Sequence, residues 1–353
     1  MEGGLCHLGV GLADPREVAV IQVTERLDAS APGLDAAVGP AVQRPALGRA
    51  PVVSIGLPVR DGERHLERAA RSILDQDVDD LELIIVDNAS TDGTEEICRR
   101  LATSDARVRY HRNPVDIGAA ANFCRAFALA RGRYFKWAAH DDWLEPGFLR
   151  TCIDVLEREP ATVLVFPSTN VRGEAGELLR TFRYPEGFVS DRRIERFLHT
   201  MWDFRCATAL FGVTRTEMLG RTHLIQAYTS ADRITMSEIA LQGPIRQLGS
   251  YLFNSTESHA RKGRDRGWWT PEGAVRPACD RWHLLGDYLR IVRATPRVGF
   301  VERLAMLLTV LGFFCRRWPR RALYREARGV ARARLGAVQR RAWRAAFAGR
   351  SAS

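Results

Sequence analysis

The chain is 353 residues long, 46% hydrophobic and 27% charged, with a formal net charge of +10. These proportions fit a globular protein of about two domains and exclude collagen-like, coiled-coil and wholly disordered chains. No apolar run reaches the length of about 18 residues that a membrane span needs.

Residues 1–49 are rich in Ala, Gly, Pro and Asp and carry little periodicity. They read as a disordered extension or as sequence ahead of the true start. Glu2 and the lack of a basic-then-apolar pattern argue against a signal peptide. Order is expected from Val52, where the run to Leu57 reads as a buried strand stopped by Pro58. Leu66, Ala69, Ala70, Ile73 and Leu74 follow at helical spacing. Leu83 to Val86 has no polar face and predicts a strand covered on both sides. Asp92 to Glu95 fits a capping box ahead of Ile97, Cys98 and Leu101. A weak strand at Val108–Tyr110, a helix from Ala119 to Ala130 and a strand at Tyr134–Trp137 come next. Pro146 suits the first turn of a helix bearing Leu149, Ile153 and Leu156, and Thr162–Phe166 is the following strand.

This alternation predicts an α/β protein with a mostly parallel sheet and helices on both faces. In such sheets ligands sit beyond the carboxyl ends of the strands. Four loops meet that description: Pro58–Glu63, Asp87–Thr94, Asn113–Gly118 and Ala138–Trp143. No GxGxxG follows the first strand and no GxxxxGK[ST] occurs, so a dinucleotide fingerprint and a standard P-loop are both missing. Adjacent carboxylates at the end of an apolar strand, as at Asp141 and Asp142, suit a hard cation that also binds substrate phosphates. The bland reading is an N-terminal helix cap.

Three segments, SIGLPVRDGERHLERAARSILDQ, LELIIVDNASTDGT and NPVDIGAAANFCRAFALARGRYFKWAAHDDWLEPGFL, resemble the family 2 glycosyltransferases in order and spacing. The resemblance is strong from Val52 to Phe148 and weaker to Ser258. It implies a GT-A fold over 50–258, with a nucleotide-binding half at 50–150 and an acceptor half at 151–258. A connecting or closing segment at 259–299 and a basic helical tail at 300–353 would follow. It further implies that Pro58, Asp61 and Glu63 line the nucleotide pocket, with Asp61 where Asn is commoner. Asp87 and Asn88 would bind base and ribose, Asn88 replacing a frequent Asp. Asn113 and Gly118 would lie near the nucleotide. Asp141 and Asp142 would hold Mg²⁺ or Mn²⁺ beside the diphosphate, although Ala139 stands where a D-x-D motif has its first Asp. His140 reads as a supporting neighbour.

The implied reaction moves a sugar from a nucleotide-sugar donor to a glycan or lipid-linked acceptor hydroxyl with inversion. It needs a general base, for which Asp232 is the candidate. The competing reading is a helix cap, and Glu238 and Asp203 are the alternatives. His259 and Arg261 would belong to the closing segment or to a plain surface loop. Trp268 and Trp269 suit either sugar stacking or packing of the C-terminal helices.

The charge is concentrated: Arg316 to Arg350 holds twelve Arg and one acid, Glu326. With the apolar stretch from Phe300 to Phe314 ahead of it, this suits an anionic membrane surface rather than nucleic acid. It also suits simple packing on the catalytic domain. The seven scattered Cys form no CxxC pair, which points to a reduced, cytoplasmic chain, and the tail would set it at the inner face of a membrane. The rival functions are a non-catalytic scaffold acting through its Arg-rich tail and a nucleotidyltransferase. The second lacks its phosphate loop.

Overall fold

Strands buried on both faces form the centre of the first half of the sheet. In a computed structural model, residues 50–204, 207–228, 230–257, 280–296 and 298–317 are described. Strands β1 (Val53–Val59), β2 (Leu81–Asp87) and β4 (Tyr134–Trp137) are buried along their whole length. With β3 (Val108–Arg112) they run parallel in the order β3-β2-β1-β4. Helices α1 (Leu66–Leu74) and α2 (Thr94–Ser104) cover one face through Leu66, Ile73, Cys98 and Leu101, which pack on Ile55, Leu57, Leu83 and Ile85. Helix α3 (Ala119–Ala128) covers the other, with Ala126 on Ile84 and Val86 and with Phe127 against Phe135 and Trp137. Gly56 faces this second layer. A Cβ there would lie 2.8 Å from the Phe135 ring and 3.0 Å from Ala126.

Beyond β4 the sheet becomes mixed. β8 (Val213–Arg215) lies antiparallel between β4 and β6 (Leu164–Arg172). β9 (Ile245–Thr256) runs parallel to β6, while β5 (Trp143–Leu144) pairs antiparallel with β9 and β7 (Leu178–Phe182) with β6. Helices α4 (Phe148–Arg158) and α6 (Thr216–Gly220) follow β5 and β8. A further helical layer joins α5 (Arg193–Trp202), α7 (Ala231–Gln242), α8 (Asp280–Ala294) and α9 (Phe300–Arg317). Phe197, Met201, Ile234, Tyr288, Met306, Val310 and Phe313 form its core.

Two sequence readings need correction. Pro58 does not stop β1, which continues to Val59. Val52 and Gly56 turn their carbonyls to β4, accepting from Tyr134 and Ala138, so Pro58 faces the same side. The β4 ladder ends at Trp137 opposite Gly56, and the missing N–H of Pro58 has no bond to lose there. The expected capping box is also differently made. Asp92 accepts from the Thr94 N–H at 3.0 Å, and Gly93 donates to Glu63 of another loop at 2.8 Å.

Glu82 anchors the lower end of the parallel strands. Its carboxylate accepts from Ser54 Oγ at 2.6 Å, from the Arg131 N–H at 2.9 Å and from the Arg131 and Arg109 guanidiniums. Burial alone would raise its pKa, but these donors outweigh it and hold the group below the ordinary carboxylate range. A depressed folded pKa contributes stability above the unfolded value that is lost as pH falls through the folded one. Glu82→Gln is expected to cost about 2 kcal/mol in urea unfolding at pH 7, with the difference shrinking toward pH 3.

Candidate active site

The loops after β1 and β2 are stitched together by their own polar groups. Asp61 Oδ1 accepts from the Thr91 N–H at 2.8 Å, and the Asp61 N–H donates to Ser90 Oγ at 3.0 Å. The Gly62 N–H reaches Thr94 Oγ1 at 2.8 Å, and Glu63 bonds Gly93 and Asp92. Glu63 thus holds the loop pair, and Asp61 keeps its outer oxygen 3.6 Å from Arg60. Asp87 is wholly buried. One of its oxygens accepts from the Ser90 N–H at 2.8 Å, the other from Tyr110 Oη and the Arg112 guanidinium. Its carboxylate braces the loop that presents Asn88. Among the described residues other than glycine, positive φ occurs at four positions, and Asp61 and Ala89 are two of them. Left-handed backbone outside glycine is costly and gathers where geometry serves a site.

A chain of amides carries this geometry to the third loop. Asn122 Nδ2 donates to the Val86 carbonyl, and Asn113 Nδ2 donates to both Asn122 Oδ1 and Asn88 Oδ1 at 2.9 Å. The Ile117 N–H also bonds Asn88 Oδ1 at 3.0 Å. Asn88 Nδ2 donates to Asp116 Oδ1 at 2.5 Å, and Asp116 also pairs with Arg60 and accepts from the Gly118 N–H. The structure therefore gathers Asp61, Glu63, Asp87, Asn88, Asn113 and Gly118 at one edge of the sheet, with Pro58 buried in β1 beneath. Arg60 and Asp116, assigned no role from sequence, are the ion pair that joins the first loop to the third. Nothing local in the sequence marks that pairing, because it spans 56 positions.

The acidic pair lies at the end of β4, on the same edge. Asp141 and Asp142 are 7% and 5% exposed, so both carboxylates are out of bulk water. Asp142 Oδ1 accepts from the Thr256 N–H at 2.8 Å, and Thr256 Oγ1 donates to the Asp141 carbonyl at 2.5 Å. Thr256 of β9 thereby fixes the loop from the far side of the sheet. Arg68 of α1 stacks 3.8 Å above the Trp143 ring and attracts both carboxylates. Burial, then Arg68, hold the His65 imidazole below its ordinary pKa, with Asp141 pulling the other way. His140 packs on the first loop: a Cβ at Gly62 would meet its ring at 3.0 Å. Arg68, His65 and Thr256 are further site neighbours that the sequence reading did not single out.

Below the acidic loop, β4 carries a wholly buried lysine. Lys136 Nζ donates to the Trp137 carbonyl at 3.0 Å and the Phe211 carbonyl at 2.5 Å. Its ammonium also lies 4.8 Å from the centre of the Phe148 ring and 5.1 Å from that of Phe253. Burial pulls its pKa down to about 7, with weak opposing pulls from Cys152 and Asp142.

Residues 54–226 match the family model described as Glycosyl transferase family 2. The similarity to glycosyltransferase family 2 is thus carried by residues 54–226, just under half of the chain. The domain is 30% identical over 146 residues to the chondroitin synthase of Escherichia coli, covering 41% of this chain and 21% of that protein. It is 30% identical over 141 residues to the hyaluronan synthase of Pasteurella multocida, covering 40% of this chain and 14% of that one. The chain thus matches about a fifth or less of the length of these relatives. Residues 1–349 of S. aureus TarS, solved with UDP-GlcNAc, share its fold at a TM-score of 0.56 and 15% identity, over 74% of this chain and 72% of that one. The fold is accordingly of the GT-A type, as the motifs lead one to expect.

The candidate base lies just beyond the matched segment, on α7 and not on the stitched loops. Asp232 is half-buried in the first turn of α7, where its Oδ1 accepts from the Arg233 N–H at 2.9 Å. Burial raises its pKa against the opposing pull of Arg233. Ser230, two residues earlier, has φ 71. The two alternatives have other duties. Glu238 clamps His223 through both the ring and the main-chain N–H, the latter at 2.7 Å, and Asp203 pairs with His199 at 2.5 Å. His259, Arg261, Trp268 and Trp269 lie outside the described residues. Among the described residues no group of three or more His, Cys, Asp or Glu gathers as a metal cage. The donor chemistry at the acidic pair still fits Mg²⁺ or Mn²⁺, which are bound through one or two carboxylates and complete their shell with water and substrate phosphate.

Proposed function

We propose that the chain transfers a sugar from a nucleoside-diphosphate sugar to an acceptor hydroxyl, with inversion at the anomeric carbon. One observation carries this reading: within the family 2 segment, Asn88 and the buried carboxylates Asp141 and Asp142 lie on the same edge of the sheet. The donor classes to test first are UDP-sugars, because TarS was solved with UDP-GlcNAc. The acceptor is a glycan or lipid-linked sugar, in keeping with the polysaccharide synthases among the relatives.

Asn88 spends its Oδ1 on Asn113 and Ile117 and one N–H on Asp116, which leaves one N–H to offer a base or ribose oxygen. Asp141 and Asp142 would hold a divalent cation, whose chemistry is to neutralise charge on the departing diphosphate. Arg68 and the neutral His65 flank that place. Asp232 takes the proton of the acceptor hydroxyl as its oxygen bonds to the anomeric carbon and the bond from that carbon to the diphosphate breaks. A carboxylate whose pKa burial has raised is a better base near neutral pH than an exposed one.

Asp232→Asn is expected to lower turnover by about 10²- to 10⁴-fold, the usual contribution of a positioned base, while leaving nucleotide binding intact. Thermal shift with UDP-, TDP- and GDP-sugars, with and without Mn²⁺, together with release of the nucleoside diphosphate, checks both parts. Full turnover in the variant removes Asp232 from the mechanism. No stabilisation by any of the nucleotides with metal removes the reaction itself.

A further inference from the structure

Helix α9 buries one face and leaves the other apolar and exposed. Met306, Val310, Phe313 and Phe314 pack inward against Tyr288 and its neighbours. On the outer side Phe300 is 81% exposed, Val301 78%, Leu304 43%, Leu308 60% and Leu311 43%. The spacing of Leu304, Leu308 and Leu311 sets them in one stripe. No charged residue occurs between Arg303 and Arg316. Arg303 itself turns inward, donating to the Val292, Arg293 and Thr295 carbonyls at the end of α8. The charge-free length from Leu304 to Cys315 is about 18 Å at 1.5 Å per residue. A contiguous exposed apolar face of this kind marks an interaction surface.

Two occupants compete for this face, and charge selects between them. The sequence that continues from the stripe, Arg316 to Arg350, has twelve Arg and one acid. A second copy of the chain would bring an equally cationic segment to the same place and be repelled. A bilayer with anionic headgroups offers apolar depth for the stripe and counter-charge for the arginines. Among the described residues no helix is long and apolar enough to cross a membrane, so the contact is one of lying along the surface. We propose that the outer face of α9, with the Arg-rich sequence after it, docks this protein onto an anionic lipid surface. The inference goes beyond sugar transfer, and its test needs no turnover.

The full chain is mixed with vesicles of phosphatidylcholine alone or with 30% phosphatidylglycerol, and binding is followed by flotation. Light scattering gives the mass of the free protein. The expected result is flotation with the anionic vesicles only, and at least a tenfold weaker partition for Leu304→Glu/Leu308→Glu. Both positions are exposed, so the variant keeps the wild-type melting temperature and circular dichroism. A second variant, Phe300→Ser/Val301→Ser, weakens partition without adding charge, which separates loss of apolar contact from repulsion. Equal flotation of the wild type and both variants overturns the proposal, since the arginines alone would then carry binding. No flotation overturns it too, whether the free protein is monomeric or a dimer that Leu304→Glu/Leu308→Glu dissociates.

Discussion

Replacing Asp141 by Ala is expected to lower turnover by about 10³-fold without unfolding the protein. In the proposed reaction the carboxylates after β4 would hold the divalent cation that balances charge on the departing diphosphate, an effect worth several kcal/mol. About 4 kcal/mol corresponds to about 10³ in rate. The Asp141 carbonyl accepts from Thr256 Oγ1 at 2.5 Å. Truncating the side chain leaves that tether in place. Asp142 differs, because its Oδ1 satisfies the Thr256 N–H at 2.8 Å. Asp142→Ala strands that buried donor, at a cost of about 1–3 kcal/mol, and should lose stability as well as rate. The two substitutions thus separate chemistry from folding. Rates come from release of nucleoside diphosphate, stabilities from thermal melts with no ligand present. If Asp141→Ala turns over within tenfold of the wild type, Asp141 does not hold a cation that the proposed reaction needs. If Asp142→Ala melts no lower than Asp141→Ala, the tether to β9 is not holding the loop.

The half of the molecule that repeats strand, loop and helix was legible because its central strands carry short apolar runs, such as Leu83–Val86. β1, β2 and β4 are buried along their whole length, and the helices between them show one apolar face. The acceptor half was harder to read for physical reasons. β8 is three residues long and β5 two, too short for a period to register. β7 is mostly exposed, so Leu178 and Leu179 announce no buried face. β9 passes through Gly249 and Ser250 where its register against β6 shifts, which breaks the pattern a strand would show. Pro58 misled for a different cause: whether its missing N–H matters depends on where the neighbouring strand ends.

The site divides in the same way. Positions expected at the strand-end loops lie there, since the topology of a parallel sheet brings such loops to one edge. What each side chain does once there depends on partners distant in sequence. Asp87 is occupied by Tyr110, Arg112 and Ser90, and Glu63 by Gly93. Arg60 with Asp116 and Asp142 with Thr256 are pairs that no motif announces. Asp203 and Glu238 look like spare carboxylates in the sequence, yet each faces a histidine, His199 and His223 respectively.

Lys136→Met is expected to remove a pH dependence of stability that the wild type shows above neutrality. The folded pKa of Lys136 is about 7, against 10.5 for an ordinary lysine, and burial is the dominant cause. Between those two values the unfolded chain binds the proton that the folded protein gives up. Stability therefore rises with pH across this window, by up to about 1.4 kcal/mol per pH unit for one group. Below pH 7 both states are charged and the full burial penalty stands. Methionine, unbranched and apolar, fills a similar space among Phe148, Phe211 and Phe253 and titrates nowhere. It strands the Trp137 and Phe211 carbonyls, but by the same amount at every pH. The Cys152 thiol, which burial pushes up to about 12 against the pull of Lys136, stays protonated in the folded protein from pH 7 to pH 9 with or without that lysine. From pH 7 to pH 9 the wild type should gain about 2 kcal/mol relative to Lys136→Met, measured by urea unfolding at half-unit steps. Parallel curves for the two proteins over that range would show that the lysine keeps its proton, stabilised by the two carbonyls and the rings rather than strained by its burial.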